Sequence, residues 1–260
     1  MKPVSRIKQL FAEDKARIAY LTAGDGGIQR TLDAALALIA GGVNMLEIGV
    51  PFSDPIADGP IIQRAATRAL ACGTTLKDVL WLTEQIRQHS EIPLILFSYL
   101  NPILAANPVD FLPKAKKAGI DGLLLVDCPL EESALIREQC SQHGIDLIYV
   151  MTSATSLKRV EQINHHAQGF LYYACRKGTT GIRNTLPDDF EKKIQAVKSI
   201  SDYPIVVGFG ISNQSMANQV VAHADGVVIG SLFVKALEEG AAPLALTKLA
   251  RDIYPLQGKS

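Results

Sequence analysis

Short apolar runs alternate with longer amphipathic ones along this chain. Runs of strand length fall at residues 18–21, 43–48, 93–97, 122–126, 146–150, 169–173, 204–207 and 226–229. Between them, at 31–39, 61–71, 109–118, 131–143, 157–166, 188–200, 212–221 and 232–238, apolar positions recur at the three-to-four spacing of a helix face. Further helices are predicted at 4–14, 75–89 and 243–254. Most strand runs are apolar throughout, as expected of parallel strands covered by helices. Glycine closes several helices just before a strand, in Ala40-Gly41-Gly42, Ala118-Gly119-Ile120 and His143-Gly144-Ile145. No Ser/Gly-rich linker or charge block interrupts the series. The prediction is an α/β protein, one (β/α)₈ TIM barrel with extra helices, as one domain over residues 1–260.

Composition narrows the function classes. With 26 basic and 26 acidic side chains the formal net charge is zero, which gives no electrostatic reason to expect nucleic acid or an anionic membrane as partner. A bound phosphate would have to be held by a few local donors. The four cysteines (Cys72, Cys128, Cys140, Cys175) form no C-x-x-C pair, which suits a reducing compartment. The charged start, with Lys2, Arg6, Lys8, Glu13 and Asp14, does not read as a secretory leader. The most apolar stretch, 34–46, contains two glycines and is too short to span a bilayer. A cytoplasmic location is expected.

Barrel enzymes work at the carboxyl ends of their strands. The second run ends Leu46-Glu47-Ile48-Gly49-Val50, where Glu47 interrupts an apolar stretch. Desolvation favours the neutral acid, which suits proton transfer near neutral pH. A structural glutamate hydrogen-bonded in the barrel mouth is the plainer alternative. The connection that follows, Pro51-Phe52-Ser53-Asp54-Pro55-Ile56-Ala57-Asp58-Gly59-Pro60, is long for a β-to-α loop and stiffened by three prolines. It would return a second carboxylate, Asp58, to the mouth as an acid/base partner. Otherwise Asp54 and Asp58 merely cap turns.

The seventh and eighth exits, Gly208-Phe209-Gly210-Ile211-Ser212 and Ile229-Gly230-Ser231-Leu232, combine glycines with the start of a helix. Glycine allows close backbone approach, and free N–H groups at a helix start favour an anion. This pair of exits commonly cradles phosphate in such barrels. The sixth exit, from Cys175 to Asn184, holds two glycines and a run of hydroxyls, either a lid or a solvated connection.

Several chemistries are disfavoured. The runs at 18–21, 43–48, 93–97, 122–126 and 169–173 carry no lysine for a Schiff base. The five histidines lack H-E-x-x-H spacing, so no metal site is expected. No G-x-G-x-x-G follows the first strand, which argues against a dinucleotide.

The stretch from Leu46 to Pro60 closely resembles the signature of the tryptophan synthase α subunit family. Supporting matches are Thr22-Ala23-Gly24-Asp25, Tyr99 with Asn101-Pro102-Ile103, Val126-Asp127-Cys128-Pro129 with Glu131-Glu132-Ser133, Thr180-Gly181, Gly208-Phe209-Gly210-Ile211-Ser212 and Gly230-Ser231. The resemblance implies a lyase of tryptophan biosynthesis that splits indole-3-glycerol phosphate into indole and glyceraldehyde-3-phosphate. It implies Glu47 as the acid/base that protonates indole C3, and Asp58 as the carboxylate on the indole N–H. It further implies a phosphate cradle of Gly181, Gly210, Gly230 and Ser231, indole walls at Tyr20, Phe97, Leu124, Tyr172 and Phe209, and Thr180 as a lid residue meeting Asp58. No cofactor is implied in this chain. A pyridoxal-phosphate β subunit is implied as partner in an α2β2 heterotetramer, docked near Asp54, Asn101 and Pro129. The segment 101–107 reads as a loop presenting apolar residues for that contact.

The chain departs from the family pattern at Ala19-Tyr20, where proline and phenylalanine are common, and in the basic Arg176-Lys177. Two other readings are a catalytically weak regulatory subunit that activates the β subunit and a stand-alone indole-releasing lyase. A ring-closing indole-glycerol-phosphate synthase on the same barrel is disfavoured by the missing strand-end lysines.

Overall fold

The protein is seen in a computed structural model that describes residues 5–175, 186–208 and 210–254. Eight parallel strands close a barrel in chain order: β1 (Ala16–Thr22), β2 (Met45–Gly49), β3 (Leu94–Ser98), β4 (Gly122–Leu125), β5 (Asp146–Thr152), β6 (Leu171–Ala174), β7 (Ile205–Gly208) and β8 (Gly226–Ile229). β8 pairs back onto β1, with Ile18 opposite Val228. The expected (β/α)₈ barrel is therefore the fold.

The uniformly apolar strands have a simple cause. Successive side chains alternate between two apolar surroundings, the barrel interior and the layer under the helices. Ile18, Tyr20, Met45, Ile95, Phe97, Leu124, Ile148, Tyr172, Val206 and Val228 fill the interior. Their strand neighbours Ala19, Leu21, Leu46, Leu96, Leu123, Leu147, Leu171, Val207 and Val227 face the helices.

Those helices are α1 (Arg6–Glu13), α2 (Ile28–Ala40), α3 (Pro60–Ala71), α4 (Leu76–Arg87), α5 (Leu100–Ala105), α6 (Pro108–Ala118), α7 (Ala134–His143), α8 (Leu157–Asn164), α9 (Phe190–Lys198), α10 (Gln214–His223), α11 (Ser231–Glu238) and α12 (Pro243–Ile253). Gly119 and Gly144 end α6 and α7 in the left-handed conformation, at φ 103° and 66°, as their positions before strands suggested.

Two expectations are corrected. The apolar segment 101–107 is largely helix rather than loop: α5 packs Ile103 fully inside, leaving Leu104 about half exposed. The Leu100 N–H at its start donates to Asp127 Oδ1 at 2.7 Å, a cap from 27 residues away that local reading misses. The helix read over 131–143 is instead a 3₁₀ turn, Leu130–Glu132, followed by α7.

Candidate active site

β2 carries the inward sequence Met45, Glu47, Gly49, and Glu47 lies in register between Tyr20 of β1 and Ile95 of β3. Its side chain is buried, and Oε1 has no hydrogen-bond partner among the described residues. Burial alone pushes its pKa up to about 8. At neutral pH Glu47 is therefore mostly the protonated acid.

The loop after β2 folds Asp58 back into the same pocket. Its N–H donates to the Pro55 carbonyl at 3.0 Å, and its own carbonyl accepts from Gln63 Nε2 at 2.8 Å. The organising group is Tyr99, just past β3. Its hydroxyl accepts the Ala57 N–H at 2.9 Å and donates to Asp58 Oδ2 at 3.0 Å, while its ring lies 5.2 Å from that of Phe52. Desolvation raises Asp58 to about 6, and the Tyr99 hydrogen bond partly opposes the rise. Two carboxyls in one pocket are thus tuned apart, Asp58 ionised and Glu47 neutral near pH 7.

Around them is a cavity of about 540 Å³, counting the space at its mouth, lined by Tyr20, Glu47, Asp58, Ile62, Phe97, Tyr172, Gly210, Ile211, Val228, Gly230 and Ser231. Tyr20 meets Phe97 edge-on, with ring centroids 5.1 Å apart. Glycines at two strand ends give the tyrosines room. A Cβ on Gly49 would stand 2.2 Å from the Tyr20 hydroxyl, and one on Gly208 only 1.9 Å from that of Tyr172. The extra hydroxyl of Tyr20 has its partner in Thr22 Oγ1, at 3.3 Å.

Two glycines, Gly210 and Gly230, also belong to the lining. Gly210 adopts φ 78°, and β8 passes through Gly230 directly into α11. Among the described residues no side chain caps α11, which leaves its first N–H groups and the positive end of its dipole beside the cavity.

A model of the tryptophan synthase alpha chain family matches residues 7–254. The chain belongs to this family. It is 54% identical over 252 residues to the tryptophan synthase alpha chain of Coxiella burnetii (strain CbuK_Q154), covering 97% of this chain and 98% of that one. The tryptophan synthase subunit alpha from Legionella pneumophila str. Paris superposes with a TM-score of 0.88 at 36% identity, over 96% of this chain and 97% of that one. A chain of the tryptophan synthase complex from Pyrococcus furiosus gives a TM-score of 0.84 at 34% identity, over 92% and 98%. As a tryptophan synthase alpha chain, the protein is a lyase of tryptophan biosynthesis, and its reaction cleaves indole-3-glycerol phosphate.

Of the residues the family resemblance pointed to, Tyr20, Glu47, Asp58, Phe97, Tyr172, Gly210, Gly230 and Ser231 share this one cavity. Leu124 is fully buried in the barrel interior and does not line it. Thr180, Gly181 and Phe209 lie outside the described residues. Asp54, Asn101 and Pro129 are exposed, each just beyond the end of β2, β3 or β4. Sequence reasoning gave no site role to Tyr99, Ile62, Ile211 or Val228. Tyr99 carried a signal, a phenol directly after a strand, whereas the three aliphatic residues look like any core position. Among the described residues, no cluster of His, Cys, Asp and Glu could hold a metal ion, and no helix is long and apolar enough to cross a membrane.

Proposed function

We propose that Glu47 and Asp58 carry the retro-aldol cleavage of indole-3-glycerol phosphate to indole and glyceraldehyde-3-phosphate. Glu47, protonated at neutral pH, gives its proton to indole C3 as the bond to the glycerol chain breaks. The carboxylate this leaves can take the proton that the adjacent glycerol hydroxyl loses, which restores the acid. Asp58, ionised, accepts the indole N–H and stabilises the positive charge that builds there. Tyr20, Phe97, Leu124 and Tyr172 form the walls against the indole ring in this reading. Gly210, Gly230 and Ser231, with Gly181, hold the phosphate remote from the reacting carbon, so that its binding energy serves alignment. Thr180 and Phe209 complete the pocket in this reading.

The observation carrying the proposal is the pairing of a buried Glu47, whose Oε1 has no hydrogen-bond partner among the described residues, with an Asp58 held by Tyr99 in one aromatic cavity. Turnover of Glu47→Gln and Asp58→Asn tests it. Glu47→Gln should fall by the ~10²–10⁴-fold typical of an acid/base residue, with affinity much less changed, and Asp58→Asn should also be severely impaired. Near-normal cleavage by Glu47→Gln would overturn the assignment.

Alpha chains of this family partner with a β subunit. We extend this to an α2β2 assembly in the cytoplasm, in which residues 1–260 act as one barrel unit and pyridoxal phosphate is held by the β subunit. Asp54, Asn101 and Pro129 would meet that partner at the face where the cavity opens. Indole is small and apolar, and direct transfer to a neighbouring site limits its loss.

A further inference from the structure

Two helices start at the cavity. α3 begins two residues after Asp58 and places Ile62 in its wall, and α11 begins with Ser231, also part of the lining. The two helices pack against each other, and both pack against β1. They are also joined by an ion network. Asp25, on the turn leaving β1 and only 2% exposed, accepts from Arg68 Nε at 2.6 Å and Nη2 at 2.8 Å. Arg68 Nη1 donates to Glu238 Oε1 at 2.7 Å, and Glu238 also takes a two-pronged contact from Arg64, 2.7 Å on each oxygen. The turn carrying Asp25 lies close against Thr74, just beyond α3, where a Cβ on Gly24 (φ 80°) would stand 1.9 Å from Thr74 Oγ1.

Exposed ion pairs contribute little to stability, and the Arg64 arm of this network is such a pair. The Asp25–Arg68 arm differs. A buried carboxylate facing a planar guanidinium through two parallel hydrogen bonds sets direction as well as distance, and a lysine cannot reproduce that fork. Arg68 also uses its remaining Nη1 on Glu238, so one side chain fixes the β1 exit, α3 and α11 relative to one another.

We propose that Arg68, held by Asp25 and Glu238, is a positioning residue of the cleavage reaction. It sets the spacing between Asp58, at the head of α3, and the phosphate wall at the head of α11. This inference rests on the acid–base and phosphate roles proposed above. A substrate gripped at both ends reacts only when the reacting atoms are aligned, and an error of about 1 Å costs on the order of 10²-fold in rate. Arg68 exerts no direct charge effect on Asp58, whose pKa is set by desolvation and the Tyr99 hydrogen bond. Among the described residues the other titratable groups at this cavity are the phenols Tyr20 and Tyr172, which act with Asp58, and the buried carboxyl of Glu47. A looser α3 would therefore act on Asp58 through its solvation, lowering its pKa toward the ordinary carboxylate range.

The test is steady-state cleavage of indole-3-glycerol phosphate from pH 5 to 9 by full-length Arg68→Met, Arg68→Lys, Glu238→Gln and Asp58→Asn, with thermal midpoints alongside. Arg68→Met should lose roughly 10- to 100-fold in kcat with KM nearly unchanged, and the acid limb of its kcat/KM profile should move to lower pH. Arg68→Lys and Glu238→Gln, which keep a charge or a hydrogen bond, should show the same signs at smaller size. They keep the test decisive if Arg68→Met does not fold. Normal kcat and an unmoved acid limb in the Arg68 variants, with only a lower thermal midpoint, would overturn the proposal while a crippled Asp58→Asn left the acid–base reading standing. Wild-type turnover by Asp58→Asn would overturn both.

Discussion

The Tyr99 hydroxyl donates to Asp58 Oδ2 at 3.0 Å while accepting the Ala57 N–H, so one phenol from the exit of β3 holds both the loop after β2 and its carboxylate. The hydrogen bond favours the ionised form of Asp58 against the desolvation that opposes it. Tyr99→Phe removes this support and leaves the ring packing against Phe52. The acid limb of kcat/KM should then move to higher pH, and cleavage at pH 7 should fall by roughly 2- to 15-fold, the loss of ionised Asp58 expected when a hydrogen bond of about 1.5–3 kcal/mol to the charged form is removed. An unmoved limb with full activity would show that Tyr99 does not tune Asp58.

Glu47 makes stability depend on pH in a direction opposite to that of most carboxylates. Its folded pKa, about 8, lies above the ordinary value of 4.5, so between those values the folded state retains a proton that the unfolded chain has released. Stability should therefore decline as pH rises from about 4.5 and level off above about 8, a loss on the order of 5 kcal/mol. Glu47→Gln removes that titration. In denaturant unfolding, the variant should gain on the wild type from pH 5 to about pH 8 and hold that gain at higher pH. A constant difference across this range would contradict the raised pKa.

Much of this arrangement was legible in the residue pattern, and what was hidden shares one property. The eight strands were visible because both of their faces are buried, and Glu47 stood out because it breaks an apolar run. The glycines leaving β7 and β8 were visible as punctuation. The cap from Asp127 that turns residues 100–105 into α5 spans 27 positions, and the Arg68–Glu238 contact spans 170. Such pairings leave no local periodicity. Tyr99 belongs to a recognisable motif, but its bond to Asp58 needs the loop geometry. Ile62, Ile211 and Val228 enter the cavity wall with nothing in their identity to separate them from core. Leu124 is the converse case, an aliphatic residue expected at the wall that is fully buried in the barrel interior, in register with Phe97.

The phosphate wall predicts a ligand response. Glycerol phosphate or inorganic phosphate at millimolar concentration should raise the thermal midpoint of the wild type, because it binds the native state only. Ser231→Asp places a negative charge at the start of α11, and a bulky residue at Gly210 must adopt φ near 78° and fill the cavity. Both variants should lose the shift. An equal shift in the Gly210 variant would move the anion site elsewhere.

Asp54 sits exposed on the same loop as Asp58, four residues before it. If docking of a β subunit acts on this loop, the isolated chain should be slow and adding the partner should raise its turnover. Asp54→Ala should blunt that rise while leaving basal activity largely intact. A cognate β subunit that neither binds nor changes the rate would leave a stand-alone lyase as the reading.

The proposed cleavage needs two carboxyls held in opposite protonation states by their surroundings. The most direct measurement is the pH profile of kcat/KM for indole-3-glycerol phosphate on the isolated wild-type chain. With Asp58 near 6 and Glu47 near 8, the profile should be a bell centred close to pH 7, rising as Asp58 ionises and falling as Glu47 loses its proton. A rate that keeps rising through pH 8 and beyond, or one unchanged between pH 5 and 9, would contradict it.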